Sequence, residues 1–114
     1  MTAPTFENSL EPVTVEEGQT ATFQVKFGGS PAPAVKWFRY SFPVVDSADF
    51  KIVTTETSSS LTILKTCADD SGVFTCLLEN IVGASKSSSN LNVMETGANY
   101  VVQVIVLLIS AATI

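Results

Sequence analysis

A chain of 114 residues has room for one domain of ordinary size, which excludes two-domain clefts that close on a substrate. It contains no histidine, so the usual general base, the Ser-His and Cys-His nucleophile pairs and the commonest metal ligand are missing, and two cysteines alone cannot close a structural zinc site. Six basic against eleven acidic residues, a net charge of −5, leave no electrostatic footprint for nucleic acid.

The mean hydropathy of +0.34 conceals two unlike parts. Nearly all of the excess comes from Tyr100 to Ile114, residues 1–99 average near zero, and every charged residue lies at or before Glu95. The expected organisation is a domain over residues 1–95 and an uncharged hydrophobic tail over 96–114.

From Pro4 to Met94 the pattern is one of short alternating runs between turn residues, which reads as all-β. Thr5 to Asn8 and Val13 to Val15 are short strands broken by Glu11-Pro12, and a proline there suits an edge that needs no ladder N–H. Thr20 to Phe27 sends Ala21, Phe23, Val25 and Phe27 one way and Thr20, Thr22, Gln24 and Lys26 the other, a half-buried strand. Gly28-Gly-Ser-Pro-Ala-Pro33 is expected to end it. Ala34 to Arg39 follows, with Val35 and Trp37 on one face. Asp49 to Thr54 and Leu61 to Lys65 alternate through Phe50 with Ile52 and Leu61 with Ile63. Gly72 to Asn80 places Phe74, Cys76 and Leu78 on a single face, and Gly83 to Val93 ends with Leu91 and Val93 alternating. Seven or eight short strands with regularly spaced turns are the signature of a β-sandwich.

The tail is ambiguous by its own chemistry. Fifteen residues, 100–114, span about 22 Å as a helix, short of the roughly 30 Å core of a bilayer. Gly97-Ala-Asn99 are small residues ahead of a hydrophobic end, but the polar spacer of a lipid-anchor signal is missing. Eight of the fifteen are β-branched, which suits an added strand or self-association equally well. Membrane association through 100–114 stays open without being favoured, as does a non-native extension.

Trp37, Leu61-x-Ile63, Asp70-Ser-Gly-x-Phe-x-Cys76, Asn80-x-x-Gly83 and Leu91-x-Val93 together resemble an immunoglobulin domain of the intermediate set, the I-set, over about Pro4 to Val93. Ala3-Pro4-x-Phe6, Val15-Glu-Glu-Gly18, Gly29-x-Pro31-x-Pro33-x-Val35-x-Trp37-Phe38 and Cys67-Ala-Asp-Asp70 are similar to the modules of giant muscle proteins such as titin, twitchin and myosin light-chain kinase. The resemblance implies an immunoglobulin-like Greek-key sandwich with Val25, Trp37, Leu61, Phe74 and Cys76 in its core. A core about 10 Å thick is well filled by a central indole, so Trp37 is expected between the sheets against Val25 and Cys76. Asp70-Ser71-Gly72 reads as a corner, in which a short acceptor side chain satisfies free backbone N–H groups and glycine permits a sharp entry into the next strand.

Two departures from the family pattern matter. Val25 stands where such domains carry the first cysteine of the inter-sheet disulfide, leaving Cys76 without a partner across the core. Cys67 lies roughly 13 Å from Cys76 at strand rise, beyond disulfide reach. Both therefore read as thiols, Cys76 buried and Cys67 accessible. Losing such a bridge costs about 2–5 kcal/mol, which packing must recover in a reducing compartment. The absence of a glycosylation sequon and of a leader agrees with a cytoplasmic location. The second departure is Phe74, at the usual position of the corner tyrosine.

Candidate chemistry is sparse. Asp69-Asp70 and Glu16-Glu17 lack the ligand spacing of a calcium loop, and adjacent side chains on extended backbone point to opposite faces. No phosphate-binding glycine loop and no Cys-x-x-Cys occurs, so neither an enzyme nor a cofactor is expected. Ser58-Ser-Ser60 and Ser87-Ser-Ser89 read as solvated strand flanks. Tyr40-Ser-Phe42-Pro-Val-Val45 is unusual, because it puts apolar residues in a connection that should face water; Tyr40 and Phe42 are the candidate partner surface, local packing being the other reading.

The resemblance implies a non-enzymatic spacer, load-bearing link and docking surface in an intracellular sarcomeric or cytoskeletal protein, with other proteins or neighbouring immunoglobulin modules as partners. Its ladder between Val13 to Val15 and Leu91 to Val93 is expected to carry shear. The alternative is a cell-surface adhesion or receptor domain with a membrane-associated C-terminal segment. The corner assignment predicts that Phe74→Tyr adds a hydroxyl hydrogen bond and about 1 kcal/mol of stability, read as a raised denaturant midpoint; a lowered midpoint contradicts the assignment.

Overall fold

Period-two alternation decides which residues share an interior. The computed structural model describes residues 1–95 and forms nine strands: β1 (Thr2–Phe6), β2 (Val13–Glu16), β3 (Ala21–Ser30), β4 (Ala34–Arg39), β5 (Phe42–Pro43), β6 (Phe50–Thr54), β7 (Ser58–Ile63), β8 (Gly72–Glu79) and β9 (Ala84–Met94). A single 3-10 turn, Ala68–Asp70, lies between β7 and β8. One sheet has the order β1-β3-β7-β6 and the other β2-β9-β8-β4-β5, so the first two strands belong to different sheets. All neighbours are antiparallel except β2 and β9, which run parallel with Val13 opposite Leu91 and Val15 opposite Val93. The tail, 96–114, and every expectation attached to it lie outside the described residues.

The interior follows from the alternation. Ala21, Phe23, Val25 and Phe27 of β3, Leu61 and Ile63 of β7, Phe74, Cys76 and Leu78 of β8, and Leu91 and Val93 of β9 are buried around Trp37 of β4. The Phe23 ring lies 5.3 Å from Phe74 and 6.5 Å from Trp37 by centroids, both pairs tilted, the kind of offset contact that ring quadrupoles favour. Burying each of these large side chains contributes about 1.5–3 kcal/mol.

Three differences from the sequence expectation bear on the site, each for a physical reason. β1 occupies Thr2–Phe6 rather than Thr5 to Asn8. Past Phe6 the Asn8 side chain stands in for backbone: its Oδ1 accepts the Lys26 N–H at 2.7 Å and its Nδ2 donates to the Gln24 carbonyl at 3.3 Å. β3 does not stop at Gly28 but runs on to Ser30, pairing Gly28 with Thr5 and Ser30 with Thr2 across a bulge. Glycine sustains the ladder here, since Gly29 has φ +144° and a Cβ on it would lie 3.1 Å from the Pro4 Cα.

The third difference is the most consequential. β7 begins at Ser58 rather than Leu61, so Ser58–Ser60 is strand and not flank, and Ser59 joins Leu61 and Ile63 on the inner face. Ser59 is buried, its Oγ accepts the Trp37 indole N–H at 3.0 Å, and it shares a further hydrogen bond of 2.9 Å with Thr54 Oγ1. A buried indole N–H requires such an acceptor. Ser59→Ala is therefore expected to leave that donor unsatisfied and to cost about 1–3 kcal/mol in chemical denaturation, whereas Ser60→Ala, on the outer face, costs far less; equal losses contradict the bridge.

Candidate functional site

Two features carry the functional argument: the strand pair formed by β2 and β9, and the hairpin joining β4 to β5. The β2–β9 pair is continued by the Glu17 N–H, which donates to the Met94 carbonyl at 3.0 Å. Its lower end is locked to the neighbouring loop. Thr66 Oγ1 donates to the Gln19 carbonyl at 2.8 Å, and the Gly18 N–H donates to the Thr66 carbonyl at 2.7 Å. The Val93 N–H donates to Ser71 Oγ at 2.9 Å, tying β9 to the corner.

Serines of β9 hold the incoming chain at the other end. Ser85 Oγ donates to the Pro4 carbonyl at 2.6 Å, and Ser87 Oγ accepts the Leu10 N–H at 2.8 Å. Ser87–Ser89 is thus interior to a strand, not a flank, and only Ser88 faces outward, pairing with Thr75 at 2.7 Å. Asn80 completes the arrangement, with partners that the Asn80-x-x-Gly83 spacing alone does not show. Its Nδ2 donates to the carbonyls of Thr2 at 2.8 Å and Pro31 at 3.0 Å, while its Oδ1 accepts the N–H groups of Val82 and Gly83. Asparagine suits this position because one amide supplies two donors and an acceptor.

The β4–β5 hairpin divides its two aromatic residues. Tyr40 adopts φ 54°, its N–H donates to the Val73 carbonyl at 2.8 Å, and its ring lies where a Cβ on Gly72 would come within 2.9 Å. The Arg39 guanidinium stands 5.8 Å from the ring centroid, a cation–π distance. Tyr40 is still 57% exposed, so it packs on one face and is open on the other. Phe42 is 72% and Val45 70% exposed, and Phe42 pairs with Arg39 in the β4–β5 ladder. Beside them the outer face of the sheet is a shallow groove lined by Phe38, Tyr40, Thr75 and Leu77.

The acidic pairs and cysteines have local explanations. Asp70 Oδ2 accepts the Cys67 N–H at 2.9 Å, and Glu17 Oε1 accepts the Ala68 N–H at 3.3 Å, so each pair contributes to the corner. Arg39 closes the same corner from β4 by donating to the carbonyls of Asp69 and Ser71. Cys67 is an exposed free thiol and Cys76 a buried one. Burial pushes the Cys76 thiol up to about 12, which removes its thiolate at neutral pH and makes it a packing residue opposite Trp37. Among the described residues no group of three or more carboxylate or thiol side chains gathers to hold a metal, and no helix is long and apolar enough to cross a membrane.

Comparison with known proteins agrees with this architecture. The Immunoglobulin I-set domain family matches residues 4–93. Titin of Drosophila melanogaster is 44% identical over 93 residues, covering 82% of this chain and, to the nearest percent, 0% of titin's own length. Smooth-muscle myosin light chain kinase of Gallus gallus is 35% identical over 95 residues, covering 82% of this chain and 5% of the kinase. The chain spans far less than two thirds of either relative. Among solved structures, the M4 domain of titin superposes with a TM-score of 0.79 at 25% identity, covering 82% of this chain and 97% of that one. Matching over nearly all of its described residues, the chain belongs to the immunoglobulin I-set family.

Proposed function

We propose that this domain is a non-enzymatic spacer, load-bearing link and docking module of an intracellular sarcomeric or cytoskeletal protein. The observation that carries the reading is the parallel β2–β9 ladder. The incoming chain and the outgoing chain leave parallel neighbours at opposite ends, so tension between the termini loads their hydrogen bonds together, in shear. Similarity to titin and to a smooth-muscle kinase supports the muscle setting, the match covering 5% of the kinase. Two free thiols suit a reducing compartment. The exposed Phe42 and half-exposed Tyr40 support a protein-docking role, since aromatic residues in a loop that faces water are typical contact anchors.

Under load β1 is expected to part first. It meets β3 at only three register positions, with Asn80 and Ser85 as its remaining ties. The barrier then falls on β2. The Glu17 N–H points toward β9 and the Glu16 N–H points away, to Gln19 Oε1 at 2.9 Å. Alternation turns the Val15 N–H toward β9 and that of Thr14 outward.

In single-molecule pulling, Val15→Pro should therefore lower the unfolding force, while Thr14→Pro, which removes no ladder bond, should leave most of it. Equal effects from the two would take the load off this ladder. For docking, the Tyr40→Ala/Phe42→Ala double variant should stay folded and lose affinity for protein partners of the intact chain by about tenfold or more; unchanged affinity removes the hairpin from the contact.

A further inference from the structure

The sandwich covers part of its sheet edges with side chains. On β1 the Thr2 carbonyl is taken by Asn80, the Pro4 carbonyl by Ser85, and proline has no N–H. On β6 the Ile52 N–H goes to Asp46 Oδ1 at 2.9 Å and the Phe50 N–H to Ser47 Oγ at 3.3 Å, while the Ser47 N–H fills the Phe50 carbonyl at 2.7 Å. β5 is two residues long and contains Pro43. β2 offers Thr14 alone, between Pro12, which has no N–H, and Glu16, whose N–H and carbonyl are held by Gln19 and Thr66. Such caps are how sheets avoid unwanted strand addition.

β3 is left open along its first half, as β4 is at Val35 beyond the reach of β5. Its Lys26 N–H and carbonyl and its Gln24 carbonyl face the β1 side, held by Asn8 and Glu7, and the β1 register ends at Phe27. Alternation then turns the Gln24 N–H, both backbone groups of Thr22, and those of Thr20 just ahead of the strand to that same side. The Phe27 N–H confirms the phase by donating the other way, to the Thr57 carbonyl. None of these groups has a ladder partner among the described strands. They border a groove lined by Asn8, Ser9, Glu11, Pro12, Thr22 and Gln24. Glu7 and Lys26 lie at one end of the open stretch, Glu16 at the other, and Glu11 lines the groove between.

We propose that the open edge of β3 from Thr20 to Gln24 docks an extended segment of a partner protein by strand addition, the segment carrying lysine or arginine to meet these carboxylates. This deepens the docking half of the function proposed above and is independent of load-bearing.

The test uses the full chain and, as probe, a blocked peptide of alternating valine and threonine with two lysines at each end, followed by amide NMR. In the free chain the Thr22 and Gln24 amides should exchange much faster than those of Phe23 and Val25, and the peptide should shift and protect them. Thr22→Pro should weaken binding by about tenfold or more while Thr22→Val preserves it, because only the former removes the outward N–H. Glu11→Lys should weaken the lysine peptide and favour its glutamate-ended counterpart, and this charge swap decides the matter if Thr22→Pro does not fold. Slow exchange at Thr22 and Gln24 in the free chain, which would mean that the chain covers its own edge, overturns the proposal, as does binding indifferent to both substitutions. A chain that takes protein partners through the Tyr40–Phe42 hairpin with Thr22 and Gln24 unshifted keeps the module reading and loses this edge.

Discussion

The two sheets of this domain have no covalent tie, and the contact on which their union depends is the Trp37 indole. Trp37 belongs to the sheet of β4 and β8, and its N–H donates to Ser59 Oγ on β7 of the opposite sheet. The ring fills the space between the sheets beside Phe23 and near Cys76, and the polar atom fixes its orientation. A disulfide at Val25 and Cys76 would restrain the unfolded chain; packing around Trp37 acts only on the folded one. Stability is consequently concentrated in close-packed aromatic contacts that a cavity of one or two methylene groups would weaken.

A second layer of organisation rests on that core. The N-terminal chain begins in one sheet and ends in the other, so the stretch between β1 and β2 has no continuous ladder. Asn8, Ser85, Ser87 and Asn80 supply its hydrogen bonds from side chains. The same crossing has two structural consequences: it delivers β2 to its parallel place beside β9, and it withdraws backbone from the lower half of β3. The ladder proposed to bear load and the edge proposed to dock a partner are thus two results of one change of sheet.

Much of this was legible in the sequence. β3 and β8 alternate cleanly, with Ala21, Phe23, Val25 and Phe27, and Phe74, Cys76 and Leu78, each on one face, because a half-buried strand writes its burial directly into residue type. The pairing of Val13 to Val15 with Leu91 to Val93 follows from the family resemblance and is present in the fold. What spacing does not reveal are polar residues whose partners lie far off in the chain. Ser59 looks like any serine in a run of three, although counting back two from Leu61 places it on the inner face. Asn8 replaces backbone 18 residues away, and Asn80 reaches 78 residues back to Thr2. Gly29 resembles a strand breaker until Pro4 is brought against it. Of the candidate docking pair, Tyr40 owes part of its position to Gly72, a contact that no spacing rule records, whereas the exposure of Phe42 follows from its place on a two-residue edge strand.

The central claim is that a buried indole-to-serine hydrogen bond joins sheets that lack a disulfide. A double-mutant cycle of Trp37→Phe and Ser59→Ala, followed by chemical denaturation, measures it most directly, since the cycle separates the pair's coupling from the volume lost with each side chain. The account predicts a coupling of about 1 kcal/mol or more. Additive losses, with coupling indistinguishable from zero, would contradict it.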